Sequence, residues 1–186
     1  ISSTGNLLNT FEYVGENIIY PKKILVTETN LIVLGNIYDK SSVGAFYISA
    51  SKTGLFTPII KFGSKSTQIN SAISNKDGSI TAVGSSGELL LKVKPLSKVD
   101  AVTLKISSSG VLQQVARATL KSTTRSWGSI GAGLLQGGRV NYLNKTEAAI
   151  TKFSALGKPV WNVRYLSKSS ALVASGSTSW ATYTSS

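Results

Sequence analysis

Short runs in which apolar and polar residues alternate recur along the whole chain, each bounded by glycine, asparagine or serine. Residues 45–51 put Phe46, Ile48 and Ala50 on one side and start the other with Ala45. Residues 101–107 do the same with Val102, Leu104, Ile106 and Ala101, and residues 148–154 with Ala149, Thr151, Phe153 and Ala148. A period of two is the mark of half-buried strands, and helix is expected to be nearly absent. Thr29-Asn30, Asn75-Lys76-Asp77-Gly78 and Gln136-Gly137-Gly138 supply turn residues after apolar runs such as Ile24-Leu25-Val26. The pattern predicts units of four strands. First strands fall at about 24–28, 70–74 and 129–135, second strands at 31–37, 80–86 and 139–144. Third strands fall at 45–51, 101–107 and 148–154, fourth strands at 55–61, 111–119 and 159–166.

The third-strand segments superpose without a gap from Gly44 to Gly54, Asp100 to Gly110 and Glu147 to Gly157, and Ile1-Ser2-Ser3-Thr4-Gly5 is a truncated copy. Upstream of each lies a second recurring element, Leu31–Asn36, Ile80–Ser85 and Val140–Lys145. Asn144 replaces the glycine found at Gly35 and Gly84, so these positions are expected to turn or bulge the strand. The repeat glycines at 5, 54, 110 and 157 are spaced like the blades of a propeller, well above leucine-rich or ankyrin periods. A sandwich also alternates, but it has no reason to reuse one eleven-residue stretch. The expected fold is all-β, a β-propeller-like array of four-stranded antiparallel blades with about three complete blades and partial blades at both ends. The repeats run from 16–63, 64–120 and 121–166 inside one propeller of residues 1–186, with partial units at 1–15 and 167–186. The phase places a fourth strand in front and a first strand behind, so the chain is expected to belong to a larger ring or to be completed by another chain. Open blade edges favour self-association.

Asp100, Ala101, Lys105, Ser107 and Gly110, followed closely by Glu147, Ala148, Lys152, Ser154 and Gly157, resemble the bacterial β-propeller repeat of secreted and surface proteins. The first repeat departs from it, with Gly44 for the acid and Ser49 for the lysine. The resemblance covers most of the chain. It implies blades around an axis, a place on the bacterial exterior or cell surface, and no enzyme.

The absence of histidine and cysteine removes imidazole bases, the usual triads, zinc sites and disulfides. Only carboxylate chemistry remains. Asp100 and Glu147 hold equivalent places in neighbouring units, either as a convergent acid pair or as strand-opening acids bonded to turn amides or lysines, and the second reading is favoured. Gly131-Ala132-Gly133 and Gln136-Gly137-Gly138 precede no helical pattern, so they are not a phosphate loop. No cofactor and no metal are expected. No apolar run has the length of a membrane span, no signal peptide is visible, and a removed one is compatible with a chain lacking methionine.

The formal net charge of +12 adds the functional clue. If the four strands of each unit run up and down, the second-to-third connections and the connections between units share one rim. Lys40, Lys92, Lys94, Lys98, Lys121 and Arg125 fall there, with Trp127 in position to stack on a sugar or base. Ser85 to Lys98 is an elongated insertion on the same rim, and such insertions make binding surfaces. The alternative is a coat of solvated lysines. The expectation is a non-catalytic binding or scaffold module of a secreted or surface bacterial protein, holding an anionic glycan, polymer or protein. The rivals are a structural subunit that self-associates through blade edges and a propeller hydrolase fragment, against which the sparse acids argue.

Overall fold

The three repeated segments become the third strands, or the middle strand where only three are described, of three successive antiparallel sheets. A computed structural model describes residues 4–7, 10, 12–15, 17–118, 135–142, 145–153 and 159–164. Strands β1 (Ile18–Val26), β2 (Asn30–Asp39), β3 (Ser42–Ser51) and β4 (Ile60–Phe62) form the first sheet in that order. Strands β5 (Gln68–Ser74), β6 (Ile80–Ser86), β7 (Asp100–Ile106) and β8 (Leu112–Ala118) form the second. Strands β9 (Leu135–Tyr142), β10 (Lys145–Phe153) and β11 (Pro159–Arg164) form the third. Neighbours in sequence are neighbours in each sheet, and no helix occurs among the described residues. The first strand starts earlier than the pattern predicts, and in the fourth Phe56 makes only an isolated bridge to Ala50 before β4 begins. The described residues between Thr4 and Asn17 form no strand, where the repeat phase predicts one. The predicted strand 129–135 lies outside the described residues up to its last position.

The repeat is stereochemical as well as textual. After β3, the Ser51 amide donates to the Leu55 carbonyl at 2.9 Å and the Gly54 amide to the Ser51 carbonyl at 3.0 Å; after β7, Ser107, Val111 and Gly110 make the same two bonds at 2.8 and 3.0 Å. The serine hydroxyl adds a third bond in both, accepting from Leu55 and Val111 respectively. Gly54 and Gly110 sit at φ 89° and 85°, a left-handed conformation that costs a side chain about 1–2 kcal/mol. Gly5 has φ 86°, so the truncated copy keeps this signature of the turn.

The glycines of the second strands have a different cause from the one their sequence context suggests. Neither Gly35 nor Gly84 is left-handed. Instead the neighbouring first strand bulges at Pro21–Lys23 and at Ile69–Ser71, and its backbone presses on them. A Cβ on Gly35 would overlap the Tyr20 carbonyl, and one on Gly84 the Gln68 carbonyl. Register identifies the third member of the set. Gly35 pairs with Phe46, Gly84 with Val102 and Gly138 with Ala149, which are equivalent places in the repeat. Gly138 therefore stands at the register position that alignment of the second element gives to Asn144. The Gln136-Gly137-Gly138 run lies within β9 rather than in a turn, and Asn144 is outside the described residues.

The core lies between the first two sheets. Ile32, Leu34, Ala45 and Tyr47 of the first meet Ile69, Ile80, Ala82, Val102, Leu104 and Ile106 of the second. Phe46, Ile48 and Ile37 point to the far side of the first sheet, where Tyr13 meets Phe56 edge-on at 5.5 Å. Phe46 and Ile48 in β3, like Val102 and Leu104 in β7, therefore face away from the following sheet. Two polar bonds lock the sheets together. The Ile69 amide, at the bulge in β5, donates to Asn36 Oδ1 at 2.7 Å, and the Tyr47 hydroxyl donates to the Ser108 carbonyl at 2.6 Å.

Candidate functional site: the basic rim

Three connections share one end of the first two sheets: residues 39–42, 63–67 and 87–99. The segment after β4 runs beside the start of β3, with the Val43 amide donating to Lys65 and the Thr67 amide to Val43. Gly63, at φ 69°, turns the chain so that the next three amides converge. They converge on Glu88. Its carboxylate accepts from the Ser64, Lys65 and Ser66 amides at 3.0 to 3.2 Å and from the Thr67 hydroxyl at 2.7 Å. Burial pushes the Glu88 carboxyl up, but the bonds from Ser66, Thr67, Ser64 and Lys65 outweigh it and hold the group below its ordinary value.

Arg117 holds the insertion from the other side. It lies in β8 opposite Val102, on the core face, and its guanidinium donates to the Ser86 carbonyl at 3.0 Å, to the Glu88 carbonyl and to Asp100 Oδ2 at 3.3 Å. Both members of the ion pair are buried. Asp100 also accepts from the Leu96 amide and the Ser97 hydroxyl, each at 2.6 Å, so the acid that opens the repeat serves turn amides and an arginine. The Thr67 hydroxyl reaches Ser86 at 3.0 Å and completes the buried cluster.

Between these anchors the insertion makes a two-residue hairpin, Leu90 and Val93 exchanging amide bonds at 3.2 and 2.8 Å. Leu90 is buried in the core and Val93 packs against it, while Leu91 and Lys92 form the tip with φ 45° and 62°. Lys92, Lys94 and Lys98 are exposed along this loop. Lys40 is exposed in the β2–β3 turn with φ 49°, where the Ser42 hydroxyl donates to the Asp39 carbonyl at 2.8 Å. Lys65 is exposed beside the Glu88 cradle. The structure thus brings Lys40, Lys92, Lys94 and Lys98 to one rim; Lys121, Arg125 and Trp127 lie outside the described residues.

Acids and cations are distributed unequally here. Asp100 is neutralised by Arg117, whereas Glu88 keeps its charge among neutral amides and Asp39 is exposed, so these two acids face the exposed Lys40, Lys65, Lys92, Lys94 and Lys98. At the opposite end, the half-buried Lys105 pairs with the exposed Asp77 at 3.1 Å. Hydrogen bonds from the Ser79 hydroxyl and amide, with Lys105 adding to them, lower the Asp77 carboxyl to about 2. Sequence reasoning missed Glu88 as a clamp and Arg117 as a buried cation. One signal existed for Arg117, which stands two residues after Val115 on the apolar side of an alternating strand. No helix among the described residues is long and apolar enough to cross a membrane. Compared with known protein families and with curated proteins, the chain matches none.

Proposed function

We propose that this chain is a non-catalytic binding module, built from consecutive blades of a β-propeller on the bacterial exterior, that holds an anionic partner on its basic rim. The observation that carries the reading is the disposal of acids. Asp100 is taken up by Arg117, and Lys40, Lys65, Lys92, Lys94 and Lys98 project from the same end against the charges of Glu88 and Asp39 alone. A field of one sign on one rim draws anions to it. Repetition of the turn and of side-chain direction from the first sheet to the second supports the blade arrangement.

Charge reversal tests the reading. Lys40→Glu, Lys92→Glu, Lys94→Glu and Lys98→Glu together should abolish retention on heparin, whereas Lys52→Glu and Lys76→Glu, in the turns of the opposite end, should lower the eluting salt only slightly. Equal loss in the two sets would reduce the lysines to a solubility coat.

A second reading, assembly through an open edge, draws on β1. Among the described residues this strand pairs on one side alone, and Ile18, Tyr20, Ile24 and Val26 are exposed. Its mark would be a sedimentation coefficient that rises with protein concentration.

A further inference from the structure

The insertion between β6 and β7 carries more than charge. Glu88 enters the amide cradle, Leu90 is buried, and Val93 packs against the core, so these three residues point the loop's inner side at the protein. Its outer side carries Leu89, Leu91 and Leu96, which remain 58, 50 and 61% exposed, interleaved with the exposed Lys92, Lys94 and Lys98. The tip is conformationally expensive. A two-residue hairpin with both central residues left-handed favours asparagine and glycine, yet Leu91 and Lys92 occupy it. The strained tip leaves Leu91 half-exposed, and it presents a branched apolar side chain beside a cation at the turn of the hairpin.

A polyanion explains the lysines but gives the leucines nothing to bury against. An anionic bilayer uses both, because lysines gain from the surface potential while their neighbours leave water for the interfacial layer. We propose that the loop of residues 87–99 is a membrane-docking element that seats on an anionic lipid leaflet, with Lys92, Lys94 and Lys98 at the headgroups and Leu89, Leu91 and Leu96 below them. This rests on the anionic-partner reading above and names its partner. The rigid attachment suits the role, since the cradle around Glu88 and the Asp100–Arg117 pair fix both ends of the loop before it meets the surface.

The test is sedimentation of the 186-residue chain with phosphatidylcholine vesicles, with and without phosphatidylglycerol, alongside heparin retention. Wild type should bind only vesicles containing phosphatidylglycerol. Leu89→Ser with Leu91→Ser should weaken that binding about tenfold or more while leaving heparin retention unchanged. Each of Lys92→Glu and Lys94→Glu should weaken it about fivefold or more. Leu55→Ser with Val111→Ser, exposed apolar positions at the opposite end, should leave it unchanged. A leucine variant that binds vesicles as well as wild type overturns the proposal, as does equal loss in the Leu55 and Val111 control. Heparin retention without vesicle binding overturns the lipid assignment and leaves the anionic-partner reading standing; failure of both removes the two together.

Discussion

The hydroxyl of Tyr47 donates to the carbonyl oxygen of Ser108 at 2.6 Å and so joins the third strand of the first sheet to the turn that follows the third strand of the second. The contact is steric as well, because a Cβ on Gly110 would come within 2.7 Å of Tyr47 Cδ1. The repeat turn is thus a packing surface for the preceding sheet. Tyr47→Phe should lower stability by about 1 kcal/mol, read as a shift of the urea midpoint at unchanged slope. Gly110→Ala should cost more, since it adds a left-handed side chain to the same overlap.

Gly84 and Gly78 separate two reasons for a glycine. Gly78 is left-handed at φ 76° with open space around it, so Gly78→Ala should cost about 1 kcal/mol. Gly84 has ordinary dihedrals but no room beneath the Gln68 carbonyl, and Gly84→Ala must displace the β5 bulge. A loss of about 3 kcal/mol or more is expected, measured by chemical denaturation of the two variants side by side.

The Asp100–Arg117 pair is buried at the junction of core and rim. Removing either partner strands the other charge, so Asp100→Ala or Arg117→Met alone should cost about 3–5 kcal/mol. The double variant should lose clearly less than the sum, because it leaves no orphan charge. Arg117 Nε already lacks a partner among the described residues, which favours recovery in the double variant. Strict additivity in the double-mutant cycle would show that the pair is not coupled.

Glu88 makes the rim sensitive to acid. Its carboxyl is held below the ordinary value of 4.5, so its contribution is complete above that value and is lost as pH falls through the lower, folded value. Wild type should therefore lose stability relative to Glu88→Gln as pH drops below about 4.5, and the two stability curves should converge in acid. Loop exchange should follow the same course. Amide exchange of residues 89–96 should quicken in Glu88→Gln at neutral pH and quicken little in the sheet interior.

Local chemistry made the strands legible. The alternation around Phe46 and Val102 located β3 and β7, and the repeated Ser-x-x-Gly ends that marked the units form turns the two sheets share bond for bond. The third unit was read less well. Gly137 and Gly138 carry the composition of a turn, yet in β9 they pair with Ile150 and Ala149, because register across the sheet outweighs local turn propensity. At the rim, the exposed lysines could be anticipated from an up-and-down chain path. The clamp could not, since Glu88 and Ser66 are twenty-two residues apart and nothing in their neighbourhoods marks them as partners.

Period-two alternation, the spaced glycines and the excess of lysine are properties of the chain itself, and from them follow the all-β class, the repeat and the basic character. The placement of charge belongs to the tertiary structure. Asp100 and Glu88 count as acids in the sequence, but one is matched to an arginine across the sheet and the other to amides from a different connection. Thr103 makes the same point. It is the repeat counterpart of Tyr47 and is buried, with no hydrogen-bond partner for its hydroxyl among the described residues, whereas Tyr47 reaches the next turn. Equivalent positions in a repeat share a backbone conformation because local sequence sets it; they differ in partners because those depend on side-chain length and on whatever the neighbouring sheet brings within reach.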